Sequence, residues 1–474
     1  MTGPPLAGTS TAQPAADAPS TSPTRRAWRW VRSPQAAVVV FAAALVVGCL
    51  LQFRGWSLLW FFGDEWILLS RFSAEATVGP FEPHNGHLIA LPWLIFRALF
   101  AVFGISTYLP YFAVGVAMHA AVVILLRLIL RRAGVSPWLA TVFAATAILF
   151  GPGDENIRLP FQITLTGALA LGMLQLIVAD HDGHSRKRDV TALLLGAMGL
   201  MFSGLYLAMI PIVAVTIVLR RGWRAAAWQT VPLLGVYVLW RAIYNESVGT
   251  PPPVWDTFPD WVNGAAYAGS WALGVAAPLT VILGVATLCG YFTSWRGRSL
   301  RANARQDAIP LGFLAGYVAF VVTTFMSRSY LGADGALAPR YLYVYLVLAI
   351  PVVAPGIDRL VSRYTYALPV VLIPLLAIGW NAAHGTDVTA PRDGPRPADT
   401  QALIGMPGLS SAPPQLRPDD RFLGHPGVTI QWLREVRDSG KYQMDTQPVS
   451  DAPRRTIAPV WRGLPAAIIE PWQD

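Results

Sequence analysis

The residues best suited to chemistry form a polar stretch near the start of the chain. Asp64 and Glu65 are adjacent carboxylates, and His84 and His87 follow on either side of an Asn85-Gly86 pair. Carboxylates and imidazoles can accept and donate protons in a transfer reaction. Polar groups next to hydrocarbon are costly and are usually retained for function. We therefore predict that this stretch forms one wall of an active site.

Purely structural roles for the same residues stay open. Asp64 and Glu65 could be solvated surface charges, and His84 and His87 could be polar residues at a membrane interface. Two histidines three residues apart would suit a metal ion only if a third ligand converged on them. We therefore predict no fixed metal and no cofactor, although a divalent cation is possible.

Two later loops carry further candidates for substrate binding. They contain the residues Glu155, Arg158, Gln162, Arg328, Arg340 and Tyr341. The acidic residues of the first of these loops lie in a Gly-Pro-Gly turn, where Asp is common for local hydrogen bonding. Arg340-Tyr341 could equally be an interface anchor.

The composition predicts an integral membrane protein. Of 474 residues, 54% are hydrophobic and 13% are charged, and the mean hydropathy is +0.45. Soluble proteins carry roughly twice this charged fraction, about 25%. The formal charge of +9 need not indicate nucleic acid, because most Arg residues lie in short loops beside apolar segments, the positive-inside pattern. Cys49 and Cys289 lie in apolar runs, so a structural disulfide is not expected.

The hydropathy pattern predicts an all-α polytopic protein with about eleven spans. Nine predicted spans cover residues 36–53, 108–130, 137–150, 161–179, 226–244, 271–293, 309–326, 341–357 and 366–383. The apolar stretch 190–219 has basic loops at both ends, so we predict a hairpin of two short helices that turns near Ser203-Gly204. Segment 88–103 is too short to span and is predicted to be a helix in the interface.

Three regions follow from this pattern. Residues 1–34 are predicted to be a disordered cytoplasmic N-terminus, because they are rich in Ala, Pro, Ser and Thr and cannot bury a core. Residues 35–383 form the multipass domain, and residues 384–474 form an external Pro-rich tail with one short helix over 428–440. In this topology the basic loops lie in the cytoplasm, and the candidate site residues all lie on the external side.

At these residues the chain resembles a known family. The acidic pair Asp64-Glu65, the segment His84-Asn85-Gly86-His87-Leu88 and a following interfacial helix are similar to the first external loop of GT-C glycosyltransferases. The similarity is to the protein O-mannosyltransferase and aminoarabinose-transferase branch, with Asn85-Gly86 in place of the prolines of that family's motif. Phe161-Gln162 and Pro339-Arg340-Tyr341 resemble segments of uncharacterised multipass proteins of high-GC bacteria.

The resemblance implies a transferase that uses a polyprenyl-phosphate sugar on the external face of the plasma membrane. Asp64 would be the catalytic base, and Glu65 a supporting acid or acceptor-positioning group. Arg340 would hold the donor phosphate with the support of Arg158, since arginine forms charge-assisted hydrogen bonds to phosphate. The remaining substrate-binding residues would be His84, Asn85, His87, Glu155, Gln162, Arg328 and Tyr341. The acceptor would be a glycan, lipid or protein of the cell envelope.

Two alternatives come from other classes of protein. A transporter or lipid flippase would also have many spans and a broken hairpin, but transporters usually place ionisable residues near the middle of the bilayer and contain a repeat. A non-catalytic multipass protein would leave Asp64 and Glu65 in open solvent. A transferase should instead place one of them in a cavity that also receives Arg340 or Arg158.

Overall fold

The structure is a computed structural model of the chain. It describes residues 33–70, 79–244, 252–273, 277–384 and 428–442, together with residues 400, 404–405, 410 and 414. The predicted disordered N-terminal segment lies outside the described residues except for Ser33 and Pro34, and so does most of the predicted tail.

The described residues are almost entirely helical, apart from loops and one β-bridge between His84 and His87. Their α-helices, numbered here in chain order, are α1 Pro34–Gln52, α2 Asp64–Ser70, α3 Ala90–Phe103, α4 Leu109–Arg132, α5 Pro137–Ala145, α6 Glu155–Arg158, α7 Ile163–Ala179, α8 Arg186–Leu200, α9 Met209–Arg221, α10 Trp223–Ile243, α11 Phe258–Leu273, α12 Ala277–Trp295, α13 Leu300–Gln306, α14 Ala308–Arg328, α15 Pro339–Arg363, α16 Leu372–His384 and α17 Ile430–Asp438.

Length and composition make the chain an all-α polytopic membrane protein. Six described helical segments are long and apolar enough to cross a bilayer, namely Pro34–Leu58, Leu109–Arg132, Pro160–Ala179, Gly204–Arg221, Ala308–Leu331 and Pro339–Arg363. Each is close to or above the length of about 20 residues that a span requires. The predicted total of eleven spans remains a prediction, because the other apolar helices are shorter or less hydrophobic.

Helix α3 has the length expected of a helix that does not cross. Its 14 residues extend about 21 Å at 1.5 Å per residue, whereas the hydrocarbon layer is about 30 Å thick. Arg97 is exposed on this helix, and its guanidinium carbon lies 5.3 Å from the centre of the Trp93 ring. The structure thus agrees with the exclusion of segment 88–103 from the spans, and its place in the interface stays a prediction.

The apolar stretch 190–219 folds as two short helices. Helix α8 ends at Leu200 and helix α9 begins at Met209, and the connection starts at Ser203, whose Oγ accepts a hydrogen bond from the Leu205 backbone N–H at 3.2 Å. Helix α8 packs against α7 and α10, while α9 packs against α10 and α14. The turn therefore lies near Ser203-Gly204, the position that was predicted from the basic loops at both ends of this stretch.

The predicted span 271–293 is split differently in the structure. Helix α11 already begins at Phe258, in the stretch that the predicted spans 226–244 and 271–293 leave as a loop between them, and a second helix, α12, begins at Ala277. Pro259 lies in the first turn of α11, where its missing N–H costs nothing. Trp261 is completely buried and its ring contacts those of Phe325 and Tyr341. Packing against α14 and α15 thus favours a helix in a segment that the sequence suggests is a loop.

Helix α15 lies at the centre of the bundle and connects its two ends. It packs against α4, α5, α11, α12 and α14. At one end of the bundle the basic connections meet acidic residues: Arg132 and Arg220 both approach Asp180, and Arg221 lies 2.7 Å from Asp189. The connections that carry the candidate site residues meet at the other end, as the alternation of spans predicts.

Helix α17, Ile430–Asp438, lies within the segment 428–440 that was predicted to be helical, and it packs on the first polar loop. The ring of Trp432 lies edge-on to that of Trp66, with centroids 6.1 Å apart. The Ile105 backbone N–H donates to the Lys441 carbonyl at 2.9 Å. This part of the tail therefore forms a small apolar core with the loop that carries Asp64.

Candidate functional site

A cleft with two connected parts opens at the end of the bundle where the candidate residues gather. The first chamber has a volume of about 280 Å³, and the second, beside it, about 310 Å³. Predicted residues that line the first chamber are Asp64, His84, Asn85, His87, Glu155, Gln162, Arg328, Arg340 and Tyr341. The structure thus brings together three loops that are far apart in sequence, and only Glu65 and Arg158 of the predicted set are missing from the lining.

The histidine pair is presented by a tight hairpin. His84 and His87 exchange two backbone hydrogen bonds, of 3.0 and 2.9 Å. Between them Asn85 and Gly86 have positive φ angles of 50° and 78°, as a two-residue type I′ turn requires, and Asn-Gly is the preferred pair for this turn. Asn85-Gly86 therefore has a local role, since the turn that it forms places both histidines in the lining of the cleft.

Asp64 and His84 form a polar pair in the lining of the first chamber. Asp64 begins helix α2, where an acidic residue is favoured by the helix dipole. Its Oδ1 lies 3.2 Å from the Nε2 of His84, which is 5% exposed, whereas the Asp64 side chain is 34% exposed. The imidazole edge also contacts the ring of Phe161. The carboxylate is thereby oriented by a buried partner while it remains accessible from the cleft.

Glu65 points away from both chambers, which is at odds with its predicted catalytic role. It is 1% exposed, and its carboxylate accepts the Phe62 and Phe161 backbone N–H groups, each at 3.1 Å. The hydroxyl of Tyr108 donates to the same group at 3.1 Å. Consecutive helical residues point in directions about 100° apart, so Asp64 and Glu65 cannot both face the cleft.

The environment of Glu65 changes its acidity. Burial raises the pKa of this carboxyl to about 8, although the hydrogen bonds from Phe62, Phe161 and Tyr108 oppose the shift. A carboxyl group that is removed from water favours its neutral form. Through its hydrogen bonds with Tyr108 and Phe161, Glu65 connects the first polar loop to the start of α4 and to the segment before α7.

Arg340 lies in the first chamber and is already paired. Its Nη1 lies 3.1 Å from Oε1 of Glu155, and the Gln162 side-chain amide donates to that same oxygen at 2.9 Å. The Arg340 carbonyl accepts a hydrogen bond of 2.8 Å from the Asn156 side chain. The charge of Arg340 is therefore balanced by Glu155, and its position is set by the two loops that it joins.

Arg158 is placed outside the cleft, so it does not support the same site directly. Its guanidinium lies 3.3 Å from the carboxylate of Asp154, four residues earlier. Arg158 is 9% exposed and lines neither chamber. Asp154 is the residue just before α6 and Arg158 is the last residue of that helix. Side chains four residues apart are neighbours on a helical backbone, and this local pair orients Arg158 towards Asp154.

Arg328 is the cation that lies between the chambers, since it lines both. Its guanidinium contacts the Tyr330 hydroxyl at 3.1 Å, the Asn85 carbonyl at 3.5 Å and Nε2 of His87 at 3.4 Å. Burial, together with the charges of Arg328, His84 and Arg241, lowers the pKa of His87 to about 4. His87 is therefore neutral at neutral pH, and the positive charge at this point belongs to arginine.

Ser203 and Arg241 are among the lining residues of the cleft that were not predicted as site residues from the sequence. Ser203 lines both chambers and Arg241 lines the second. The hairpin turn is close-packed against the histidine loop, because a Cβ atom at Gly204 would lie 2.5 Å from Nδ1 of His87. The sequence did contain a signal for Arg241. It lies at the external end of a predicted span, whereas arginines are usually found at the cytoplasmic ends of spans.

The side chains that could bind a metal ion give no support for a fixed metal site. Within the described ranges, no group of three or more His, Cys, Asp or Glu side chains is arranged to hold a metal ion. Asp64 and His84 would supply two ligands, whereas protein metal sites usually have three or four. Metal independence stays a prediction that chelation can test.

Comparisons with known proteins give one distant likeness. No protein-family profile matches the chain, and no curated protein matches it. The crystal structure of ArnT from Cupriavidus metallidurans bound to undecaprenyl phosphate matches with 15% sequence identity and a TM-score of 0.43, over 83% of this chain and 86% of that chain. A likeness this weak does not decide the family, so the GT-C resemblance remains a prediction that depends on the residues of the cleft.

Proposed function

We propose that the chain is an integral-membrane glycosyltransferase that moves a sugar from a polyprenyl-phosphate donor to an acceptor hydroxyl. The observation that supports this function best is the first chamber. It holds an oriented carboxylate, Asp64, in the same cleft as two guanidinium groups, those of Arg328 and Arg340. A base and an anion site in one cleft are the two features that transfer from a phosphate-linked sugar requires.

In the proposed reaction Asp64 is the general base. The acceptor oxygen attacks the anomeric carbon of the sugar, and the hydroxyl proton passes to the carboxylate of Asp64. The bond between that carbon and the phosphate oxygen breaks, and its electron pair leaves with the polyprenyl phosphate. His84 is a positioning residue, because its Nε2 lies 3.2 Å from the carboxylate.

The arginines of the cleft are proposed to stabilise the leaving phosphate. Arg328 has no carboxylate at ion-pair distance within the part of the chain that the structure describes, so its charge is available to an anion. Arg340 keeps its predicted phosphate-binding role, with Glu155 and Gln162 fixing its planar group. Glu65 and Arg158 are proposed to hold the loops rather than the substrate.

The location follows the sequence-based topology. We propose that the protein lies in the plasma membrane, with its N-terminus in the cytoplasm and the cleft on the external face. A glycan, lipid or protein of the cell envelope would supply the acceptor hydroxyl. No metal or other cofactor takes part in the proposed reaction, since the lipid phosphate is itself a leaving group.

The direct test is transfer by the purified chain in lipid nanodiscs. Labelled polyprenyl-phosphate sugars are incubated with cell-envelope acceptors, with and without a chelator. The proposal expects labelled acceptor and free polyprenyl phosphate in equal amounts, at a rate that chelation does not change. Movement of the lipid between leaflets without loss of sugar would support the flippase alternative instead, and neither transfer nor movement would support a non-catalytic protein.

A further inference from the structure

The second chamber holds a charge that the proposed reaction has not used. Arg241, near the end of α10, lines this chamber together with Arg328 from α14. Its Nη1 is fully shielded from solvent and makes no hydrogen bond to any of the residues that the structure describes. A buried guanidinium nitrogen without a partner carries the full desolvation penalty of a charged donor. This nitrogen is therefore placed to receive an anion.

The chamber has few other charges. His87 also lines it and is kept neutral, since burial and the two neighbouring arginines lower its pKa. No Asp or Glu is among the described residues that line this chamber. Two guanidinium groups with no opposing carboxylate in the lining form an anion site, and their planar donors match the oxygens of a phosphate.

The other walls of the chamber are largely apolar. Helices α10 and α14 each pack against α9, and the chamber lies between them. Its lining includes the side chains of Leu205, Leu207, Phe320 and Met326. A free inorganic anion would gain nothing from these walls, whereas an anion attached to a hydrocarbon chain would bury its first methylenes there.

An exposed apolar stripe continues from the chamber along α14. Leu314, Val318, Val322 and Met326 are four residues apart, and each is 42–54% exposed. Residues at this spacing share one helix face, and the twelve rises of about 1.5 Å from Leu314 to Met326 cover about 18 Å. Met326 belongs to both the stripe and the chamber. The anion site thus opens onto a surface that would face lipid tails.

We infer that the second chamber binds the phosphate headgroup of a polyprenyl phosphate between Arg241 and Arg328, with its hydrocarbon chain leaving past Met326 along α14. The phosphate then lies where the two chambers meet, with Arg340 facing it from the first chamber, and the sugar extends into the first chamber towards Asp64. This assignment rests on the proposed function, because it takes the lipid to be the carrier of the sugar donor. It makes Arg241 a donor-binding residue.

The test is a binding titration of the purified full chain with a long-chain polyprenyl phosphate, followed by native mass spectrometry. Arg241→Ala should raise the Kd by about tenfold or more, because a hydrogen bond to a charged group contributes about 1.5–3 kcal/mol. Arg241→Lys should bind with intermediate affinity, since it keeps the charge without the planar fork. The matched control is Arg224→Ala, at the opposite end of the same helix.

Two competitors identify the ligand. Inorganic phosphate and phosphatidylglycerol should each displace the polyprenyl phosphate only at a much higher concentration. Competition by either one at an equal concentration would overturn the inference, since it would mean a simple anion site or a bulk-lipid site. An unchanged Kd in both Arg241 variants, with normal thermal melts, would also overturn it.

A second measurement follows the chain of the lipid. A photo-crosslinking residue at position 326 should capture the polyprenyl phosphate, while one at Val285, an exposed position on α12, should not. Asp64→Asn separates this inference from the proposed reaction, because it should abolish turnover and leave the Kd unchanged. If Arg241→Ala keeps both turnover and a normal Kd, the inference is rejected and the proposed reaction is not. If binding depends on Arg241 but no sugar is transferred, the proposed reaction is rejected and the binding of the lipid is not.

Discussion

Asp64 and Glu65 are neighbours in the chain but have opposite environments. The Asp64 side chain is one-third exposed in the first chamber, whereas Glu65 is buried under three hydrogen-bond donors. A base must reach the substrate and must be ionised at the working pH. Glu65 meets neither condition at neutral pH, since burial raises its pKa to about 8. At the residue scale we therefore propose Asp64, rather than Glu65, as the catalytic base.

The raised pKa of Glu65 predicts how stability depends on pH. The folded protein holds this proton up to about pH 8, whereas an unfolded Glu releases it near 4.5. Between these values the folded state binds more protons, so the free energy of unfolding decreases as the pH rises. Thermal melts should show a Tm that falls as the pH rises from about 5 to 8.

Glu65→Gln is the matching variant for this prediction. The neutral amide is close in shape to a protonated carboxyl and does not titrate, so it should reduce the decrease in Tm over this pH range. An identical pH dependence in the wild type and in Glu65→Gln would show that Glu65 is not the group responsible.

At the scale of elements, the site depends on a contact between two turns. The His84–His87 hairpin packs directly on the turn between α8 and α9, where Gly204 leaves no room for a Cβ beside the ring of His87. The short helices of the apolar hairpin thus serve to bring a backbone against the histidine loop. Broken helices of this kind are tolerated where they line a cavity.

Gly204→Ala should therefore damage the site. The new methyl would lie 2.5 Å from Nδ1 of His87, so the ring must move, and overpacking of this kind costs about 1–3 kcal/mol. We expect a lower Tm and a sugar-transfer kcat/KM that falls by at least about tenfold. The control is Gly235→Ala in α10, where an added Cβ meets no atom within 4 Å. Equal activity of the two variants would contradict this role of the turn.

At the scale of the whole molecule, the all-helical membrane fold was predictable from the sequence. Apolar runs between arginine-rich loops gave the alternation that places Asp64, Glu155 and Arg340 at one end. The two short helices around Ser203 also followed from charge, because both flanks of that stretch are basic. These inferences succeed since they depend on local composition, which a bilayer constrains strongly.

The orientation of individual side chains could not be predicted in this way. Whether Asp64 or Glu65 faces the cleft depends on where α2 begins, and a shift of one residue rotates the helix by about 100°. The distance between Arg158 and the cleft depends on a four-residue helix with no periodic signal of its own. Arg241 was missed because it lies within an apolar run, and its neighbours in space come from α14.

The topology makes a prediction for the molecule as a whole. Reporter fusions at Arg186, Arg221 and Arg301 should give cytoplasmic signals, whereas a fusion in the Asp64 loop should give an external signal. A fusion at Gly204 should report an external or membrane-embedded position, because the hairpin turn packs against the histidine loop. A cytoplasmic signal at Gly204 would be incompatible with a shared cleft.

The central claim is that Asp64 is the base of a sugar transfer, and the single-turnover rate of Asp64→Asn tests it most directly. Asparagine keeps the size of the side chain but cannot accept the proton. With donor prebound, the rate should fall about a hundred- to ten-thousand-fold, while the Tm and the Kd for polyprenyl phosphate remain normal. A near-normal rate in Asp64→Asn would contradict the account, and loss of activity in Glu65→Gln alone would transfer the role to Glu65.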